Sequence, residues 1–169
     1  EVAVHIERAD GEALAAEGSL QVHDAVVVPR RFDQAAACVE EHRSAGRAIV
    51  LVTGSLDFII APLAEELRAD AVIATQLIES NGRFTGALSG PPLGGREKAR
   101  RMQDFGQQQG IDLSRSYAYG DSMADLPMLE AVGFPHVVNP DRRLAATAKR
   151  RGWPTHHWTV AAQSTGGCR

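Results

Sequence analysis

An α/β fold built on a doubly wound parallel sheet is what this sequence predicts, and three observations carry the prediction. From Gly46 onward, short β-branched or apolar runs alternate with helix-patterned segments, the rhythm of strands joined by crossover helices. The run Ala48-Ile49-Val50-Leu51-Val52 is apolar throughout and too short for a helix, which reads as a strand buried on both faces. Two strand-like runs end in Thr53-Gly54-Ser55 and in Gly120-Asp121, at the strand ends where open α/β sheets bind ligands.

The elements follow in order. Residues 10–28 read mainly as helix, Pro29 breaks it, and residues 32–45 make a second helix that Gly46 stops. After the strand at 48–52, residues 57–67 place Phe58, Ile59, Leu63 and Leu67 at helical spacing. Residues 71–78 and 83–88 are strand-like, and Ser80-Asn81-Gly82 between them favours a tight hairpin turn, so a hairpin stands beside the main sheet. Residues 97–109 are polar and helix-prone, 116–119 form a short strand, and 125–132 read as a helix ending near Gly133. His136-Val137-Val138 is a last short strand, followed by the turn Asn139-Pro140-Asp141 and a basic helix through Arg151 that Gly152 ends. The segment 161–169, with Ser, Thr and two Gly, reads as a frayed, flexible tail.

Composition limits the function. A chain of 169 residues supports one domain with a substantial core. Hydrophobic residues at 44 %, charged residues at 23 % and a net charge of -3 exclude a disordered tail or a strongly basic nucleic-acid binder. Cys38 and Cys168 sit in no metal-ligand spacing and suggest no disulfide framework, which fits a reducing, cytoplasmic setting. No apolar run approaches the roughly 20 residues of a membrane span, and no signal-peptide pattern opens the chain, so no membrane partner is expected. The first residue is Glu1, not Met, which fits a chain cut from something longer and equally fits processing.

Chemistry concentrates in a few places. In Tyr119-Gly120-Asp121-Ser122-Met123-Ala124-Asp125-Leu126-Pro127-Met128-Leu129, two carboxylates four apart follow a buried strand. Asp121 and Asp125 lie about one helical turn apart and can converge on a hard cation, magnesium being the natural candidate. A helix-capping Asp121 with a favourable first-turn acid at Asp125 fits the same spacing. Thr53-Gly54-Ser55 offers hydroxyl and N–H groups suited to a phosphate oxygen, and an ordinary capped turn is the plainer alternative. Lys98 opens a helix at the end where the dipole disfavours a cation, which suggests a counter-charge elsewhere; a solvated surface lysine is the alternative. His156-His157-Trp158 resembles a metal tract without a partner cluster, so an exposed strand or loop is expected there rather than zinc.

Taken in order, these pieces resemble one family. Thr53 after an apolar strand, then Lys98, then Gly120-Asp121-Ser122-Met123-Ala124-Asp125 resemble the second, third and fourth signature motifs of the haloacid dehalogenase-like superfamily. The likeness covers roughly residues 29–154 and is sharpest over 117–153. There Ala118-Tyr119-Gly120-Asp121-Ser122, Leu126-Pro127-Met128-Leu129, Val138-Asn139-Pro140-Asp141-Arg142-Arg143-Leu144 and Arg151-Gly152-Trp153-Pro154 resemble the phosphoserine-phosphatase-like branch, as does Gly82-Arg83-Phe84-Thr85-Gly86 in the hairpin. The resemblance implies a Rossmann-like core and a magnesium-dependent phosphatase acting on a small phosphorylated metabolite. It implies two-step phosphoryl transfer: an aspartate attacks phosphorus, and water hydrolyses the resulting aspartyl-phosphate. It makes Thr53 and Lys98 catalytic, assigns phosphate binding to Thr53, Gly54 and Lys98, and places Mg2+ at Asp121 with Asp125 supporting the metal site.

Two departures qualify that expectation. An asparagine of true phosphoserine phosphatases is replaced by Ala124, which argues for a phosphomonoester other than phosphoserine. The family's first motif, Asp-x-Asp-x-Thr at the end of the central strand, occurs nowhere in the chain. The nearest string, Arg8-Ala9-Asp10-Gly11-Glu12 after the apolar Val2 to Ile6, puts Arg8 at the nucleophile and leaves no room for the usual helical cap. The expectation is therefore a truncated chain: residues 1–28 a remnant of the helical cap, 29–160 a catalytic core lacking its first strand, and 161–169 a tail. Residues 1–28 should then be helical or loosely packed and the central slot of the sheet empty or poorly filled, unless Val2 to Ile6 threads into it. Without the attacking carboxylate the chain as written should be inactive, and a non-catalytic magnesium- or phosphate-binding remnant is the alternative. A phosphoacceptor receiver domain is disfavoured, because its acidic pair comes early in the chain and here it comes last.

Overall fold

The computed structural model describes residues 2–5 and 33–159. Six strands form one parallel sheet: β1 (Val2–His5), β2 (Ala48–Leu56), β3 (Ala71–Thr75), β6 (Tyr117–Gly120), β7 (Phe134–Val138) and β8 (Thr155–His156), in the order β3-β2-β1-β6-β7-β8. A separate antiparallel hairpin joins β4 (Leu77–Ser80) and β5 (Arg83–Leu88). The helices are α1 (Asp33–Ser44), α2 (Asp57–Glu66), α3 (Gly95–Gln109), α4 (Leu126–Leu129) and α5 (Arg142–Arg151). Strands of the main sheet alternate with helices after α1, so the α/β class and the parallel sheet are as the sequence predicts.

The buried run of β2 explains the layering. Val50 and Val52 belong to the main core with Leu93, Met102, Ala118, Met128, Leu129, Val137 and Leu144. Leu51 packs with Ile60 and Leu63 of α2, and Ile49 packs with Val39 of α1. Alternate residues of one strand thus serve two helical layers, the arrangement that a continuous apolar strand requires. Helices α1 and α5 each run into a glycine with a left-handed backbone, Gly46 at φ 73° and Gly152 at φ 69°, as the stop signals predict.

Three expectations change. The central slot is not empty: Val2–His5 lies between β2 and β6, with Val4 opposite both Val50 and Ala118. An open slot would leave the facing edges of two inner strands without hydrogen-bond partners, and this short run supplies them. The strand expected at 71–78 divides at Gln76. Its first part pairs with β2 in the main sheet and its second with β5 in the hairpin. The helix expected at 125–132 is shorter: a 3-10 turn, Met123–Asp125, leads into α4, and Gly133 N–H bonds the Leu113 carbonyl at 2.9 Å. The remaining N-terminal expectations, including the helix at 10–28, and the tail at 161–169 lie outside the described residues.

Candidate active site

The carboxyl end of β2 is bent by a register irregularity. β2 advances from Val52 to Leu56 while its neighbour advances only from Ile73 to Thr75. Thr53, Gly54 and Ser55 stand there against the single residue Ala74, two more than the ladder needs, and bulges of this kind re-aim groups beside active sites. Thr53 is 3 % exposed, and its Oγ1 accepts the Ser55 N–H at 3.1 Å. Gly54 lies so close to the segment before α3 that a Cβ there would stand 2.8 Å from the Leu93 carbonyl oxygen. Thr75 closes the junction: its hydroxyl donates to the Gly54 carbonyl at 3.0 Å and accepts the Leu93 N–H at 3.2 Å.

Lys98 stands on the buried face of α3 with Ala99 and Met102. Its Nζ donates to Asp125 Oδ1 at 2.8 Å, and the two residues are 9 % and 1 % exposed. This is the counter-charge that a lysine in the first turn of a helix calls for. The other oxygen of Asp125, Oδ2, accepts the N–H groups of Asp121 and Ser122, both at 3.3 Å, and the Ser122 hydroxyl at 3.2 Å. Gly120 makes the packing possible, because a Cβ on it would stand 2.8 Å from the Asp125 Cβ. Asp141 braces the same loop from the other side. Its N–H bonds the Asp121 carbonyl at 2.8 Å, its Oδ2 accepts the Met123 N–H at 3.0 Å, and its Oδ1 caps α5 through the N–H groups of Arg143 and Leu144. Those N–H donors, Leu144 first, hold the Asp141 carboxyl below the usual carboxylate range.

The predicted residues therefore gather at one edge of the sheet. Thr53 and Gly54 end β2 and Asp121 follows β6, with β1 between those strands and parallel to both. Lys98 and Asp125 meet directly. Asp121 and Asp125 are linked through the backbone of Asp121, so the spacing does not leave both carboxylates open to a cation; Asp125 completes a capping box with Ser122. The described residues contain no group of three or more His, Cys, Asp or Glu side chains that could hold a metal. Magnesium commonly takes one or two carboxylates together with water and phosphate oxygens, and the Asp121 carboxylate fits that limited demand. Sequence reasoning missed Thr75 and Asp141. The Pro-Asp pair before a helix was an available signal for Asp141.

The histidine tract has a partner after all. His156, in edge strand β8, stacks on His136 of β7 with ring centroids 5.2 Å apart and Nδ1 of His136 2.9 Å from Nε2 of His156. Burial, then the neighbouring His156 and His42, pushes His136 down to about 4. Of the tract, His156 lies in β8 and His157 and Trp158 follow as loop, and His156 is only partly exposed.

Threonine, lysine and aspartate thus stand together at the carboxyl edge of an open parallel sheet, the place where such sheets bind ligands. The family model for haloacid dehalogenase-like hydrolases matches residues 4–130, and the chain belongs to that family. It is 45 % identical over 134 residues to an inhibition of morphological differentiation protein of Streptomyces azureus, covering 79 % of this chain and 48 % of that protein. It is 41 % identical over 133 residues to a probable phosphatase of Mycobacterium tuberculosis, covering 79 % and 46 %. A crystal structure from Bordetella pertussis, of a protein with unknown function, superposes with a TM-score of 0.69 at 35 % identity, covering 73 % of this chain and 57 % of that one. Proteins named phosphoserine phosphatase occur among its sequence relatives and, for the fold, among its structural neighbours. The chain spans about half the length of the first two relatives, 48 % and 46 %.

Proposed function

We propose that the protein to which this chain belongs is a magnesium-dependent phosphomonoester hydrolase that acts on a small phosphorylated metabolite through an aspartyl-phosphate. The observation that carries the reading is the buried Lys98–Asp125 pair at 2.8 Å, which fixes an ammonium near the carboxyl edge of the sheet. In this reading the Thr53 hydroxyl and the Gly54 N–H receive the transferring phosphoryl group, and Lys98 neutralises its oxygens. Asp121 would hold magnesium, which when bound adds positive charge against the phosphoryl oxygens. Asp125 acts on position: it orients Lys98 and the Asp121–Ser122 backbone, with both of its own oxygens engaged. The family places its attacking carboxylate directly after the central strand. Here that strand is β1, and the residues after His5 lie outside the described ones.

A second reading has one observation in its favour: no Asp-x-Asp segment occurs in the 169 residues. In that reading the chain binds phosphate and magnesium without turnover. A panel of small phosphomonoesters assayed with magnesium separates the two. Hydrolysis that stops on Asp121→Asn supports the phosphatase, and binding of phosphate without turnover supports the second reading. Undiminished turnover in excess chelator would contradict the role given to magnesium. Because Ala124 stands where phosphoserine phosphatases use asparagine, phosphoserine should not lead the panel; an acceptor or donor absent from the site cannot contribute to discrimination.

A further inference from the structure

We propose that Thr75 is a positioning residue for the phosphate site, locking the Thr53-Gly54 bulge to the segment that delivers Lys98; this rests on the phosphate-binding reading of Thr53 and Gly54. Thr75 is the last residue of β3, 6 % exposed, and lies at the point where the chain leaves the main sheet for the hairpin. Its hydroxyl has two partners on two different segments. It donates to the Gly54 carbonyl at 3.0 Å and accepts the Leu93 N–H at 3.2 Å.

The direction of the first bond matters. By holding the Gly54 carbonyl, Thr75 fixes the rotation of the peptide that follows Gly54 and thereby the shape of the bulge. Leu93, itself 3 % exposed, stands two residues before α3, and Lys98 lies in the first turns of that helix. The close approach of Gly54 to the Leu93 carbonyl presses the same two segments together. One hydroxyl therefore sets the relative position of the N–H and hydroxyl donors on β2 and of the ammonium on α3. Preorganised donors lose their value when displaced by a fraction of an ångström. The hairpin closes immediately beside this junction, with Ser89 N–H bonding the Gln76 carbonyl at 2.9 Å, so the clamp also anchors the hairpin to the site.

The experiment is a titration of the isotopically labelled full chain with inorganic phosphate in the presence of magnesium, read at the backbone amides. The unaltered chain should show the Gly54 and Leu93 amides shifting together with one apparent Kd. Thr75→Val keeps the shape without the hydroxyl; it should weaken phosphate binding by about tenfold, the scale of one lost hydrogen bond, and uncouple Leu93 from Gly54. Thr75→Ser should restore both. Unchanged phosphate affinity in a folded Thr75→Val chain overturns the role of Thr75, whatever its melting temperature, since a merely structural residue would alter stability alone. If Thr75→Val does not fold, the unaltered chain decides: a Leu93 amide that stays still while Gly54 titrates overturns the proposal. No response to phosphate at Thr53 or Gly54 in the unaltered chain overturns the phosphate reading itself, and Thr75's role with it.

Discussion

Asp125 is 1 % exposed, and among the described residues Lys98 supplies its counter-charge. Breaking such a buried pair from one side costs about 3–5 kcal/mol, because the remaining charge is left without compensation. Lys98→Met should therefore lower the urea-unfolding free energy by about that amount, and phosphate affinity should fall in the same variant. A change within about 0.5 kcal/mol, the range of an ordinary surface substitution, would mean that the pair does not form. The two glycines at the site make sharper geometric claims. Gly54→Ala puts a methyl 2.8 Å from a backbone oxygen, and Gly120→Ala puts one 2.8 Å from the Asp125 Cβ; both distances are too short to survive without movement. Thermal melts should show each variant destabilised and, for Gly120→Ala, a weakened response to phosphate. At this scale residue type and spacing singled out Thr53, Gly54, Lys98 and Asp121, and the fold brings these positions to one edge of the sheet. Thr75 and Asp141 act through bonds to backbone groups of segments distant in the chain. Those partners exist only once β3 meets β2 and α5 meets the loop after β6.

The elements around β6 to β8 respond to acid through the stacked imidazoles. His136, pushed down to about 4, faces His156 and His42, so the fold favours its neutral ring. The unfolded chain binds this proton near pH 6.5 and the folded chain near pH 4, so the unfolded state holds more protons in that window. Stability from this group is present above about pH 6.5 and is lost as pH falls towards about 4. For a ring only half buried, solvent screening leaves about 1–2 kcal/mol. Urea midpoints measured across that window should fall in the unaltered protein and fall less in His136→Gln; parallel curves would refute the assignment. Asp141→Ala tests a neighbouring element: it removes the cap of α5 and the tether to Met123, and should cost about 1–2 kcal/mol. The strands and helices with strong patterns were legible, β2 and α5 above all. The division of 71–78 was not, because a continuous β-prone run carries no sign that Thr75 will turn its hydroxyl to Gly54 and Leu93. The shortening of 125–132 is at its far end, where the Ala131 N–H turns to the Met128 carbonyl at 3.1 Å and the Gly133 N–H leaves for the Leu113 carbonyl at 2.9 Å, a partner distant in the chain.

For the molecule as a whole, the position of β1 governs whether the sheet is one body. Its backbone pairs with β2 on one side and β6 on the other, so deleting residues 1–5 should expose two inner edges and abolish cooperative unfolding. A sigmoidal melt retained by the shortened chain would show that the sheet does not depend on that strand. The sequence identified the slot and a strand-prone run able to fill it, although the truncation reading predicted it empty. Pairing of both edges outweighs the empty slot, since a domain stable by about 5–15 kcal/mol cannot leave many buried backbone groups unmade. The central claim is that the edge formed around this strand holds magnesium and phosphate together. The most direct test is the melting temperature of the full chain with magnesium and inorganic phosphate, added singly and together. Ligands that bind only the folded state raise stability by about 2.7 kcal/mol at a hundredfold excess over Kd. The account predicts a rise with magnesium, a larger rise with both, and loss of the magnesium effect in Asp121→Asn. A melting temperature that does not move with millimolar magnesium and phosphate, or that moves equally in Asp121→Asn, would contradict it.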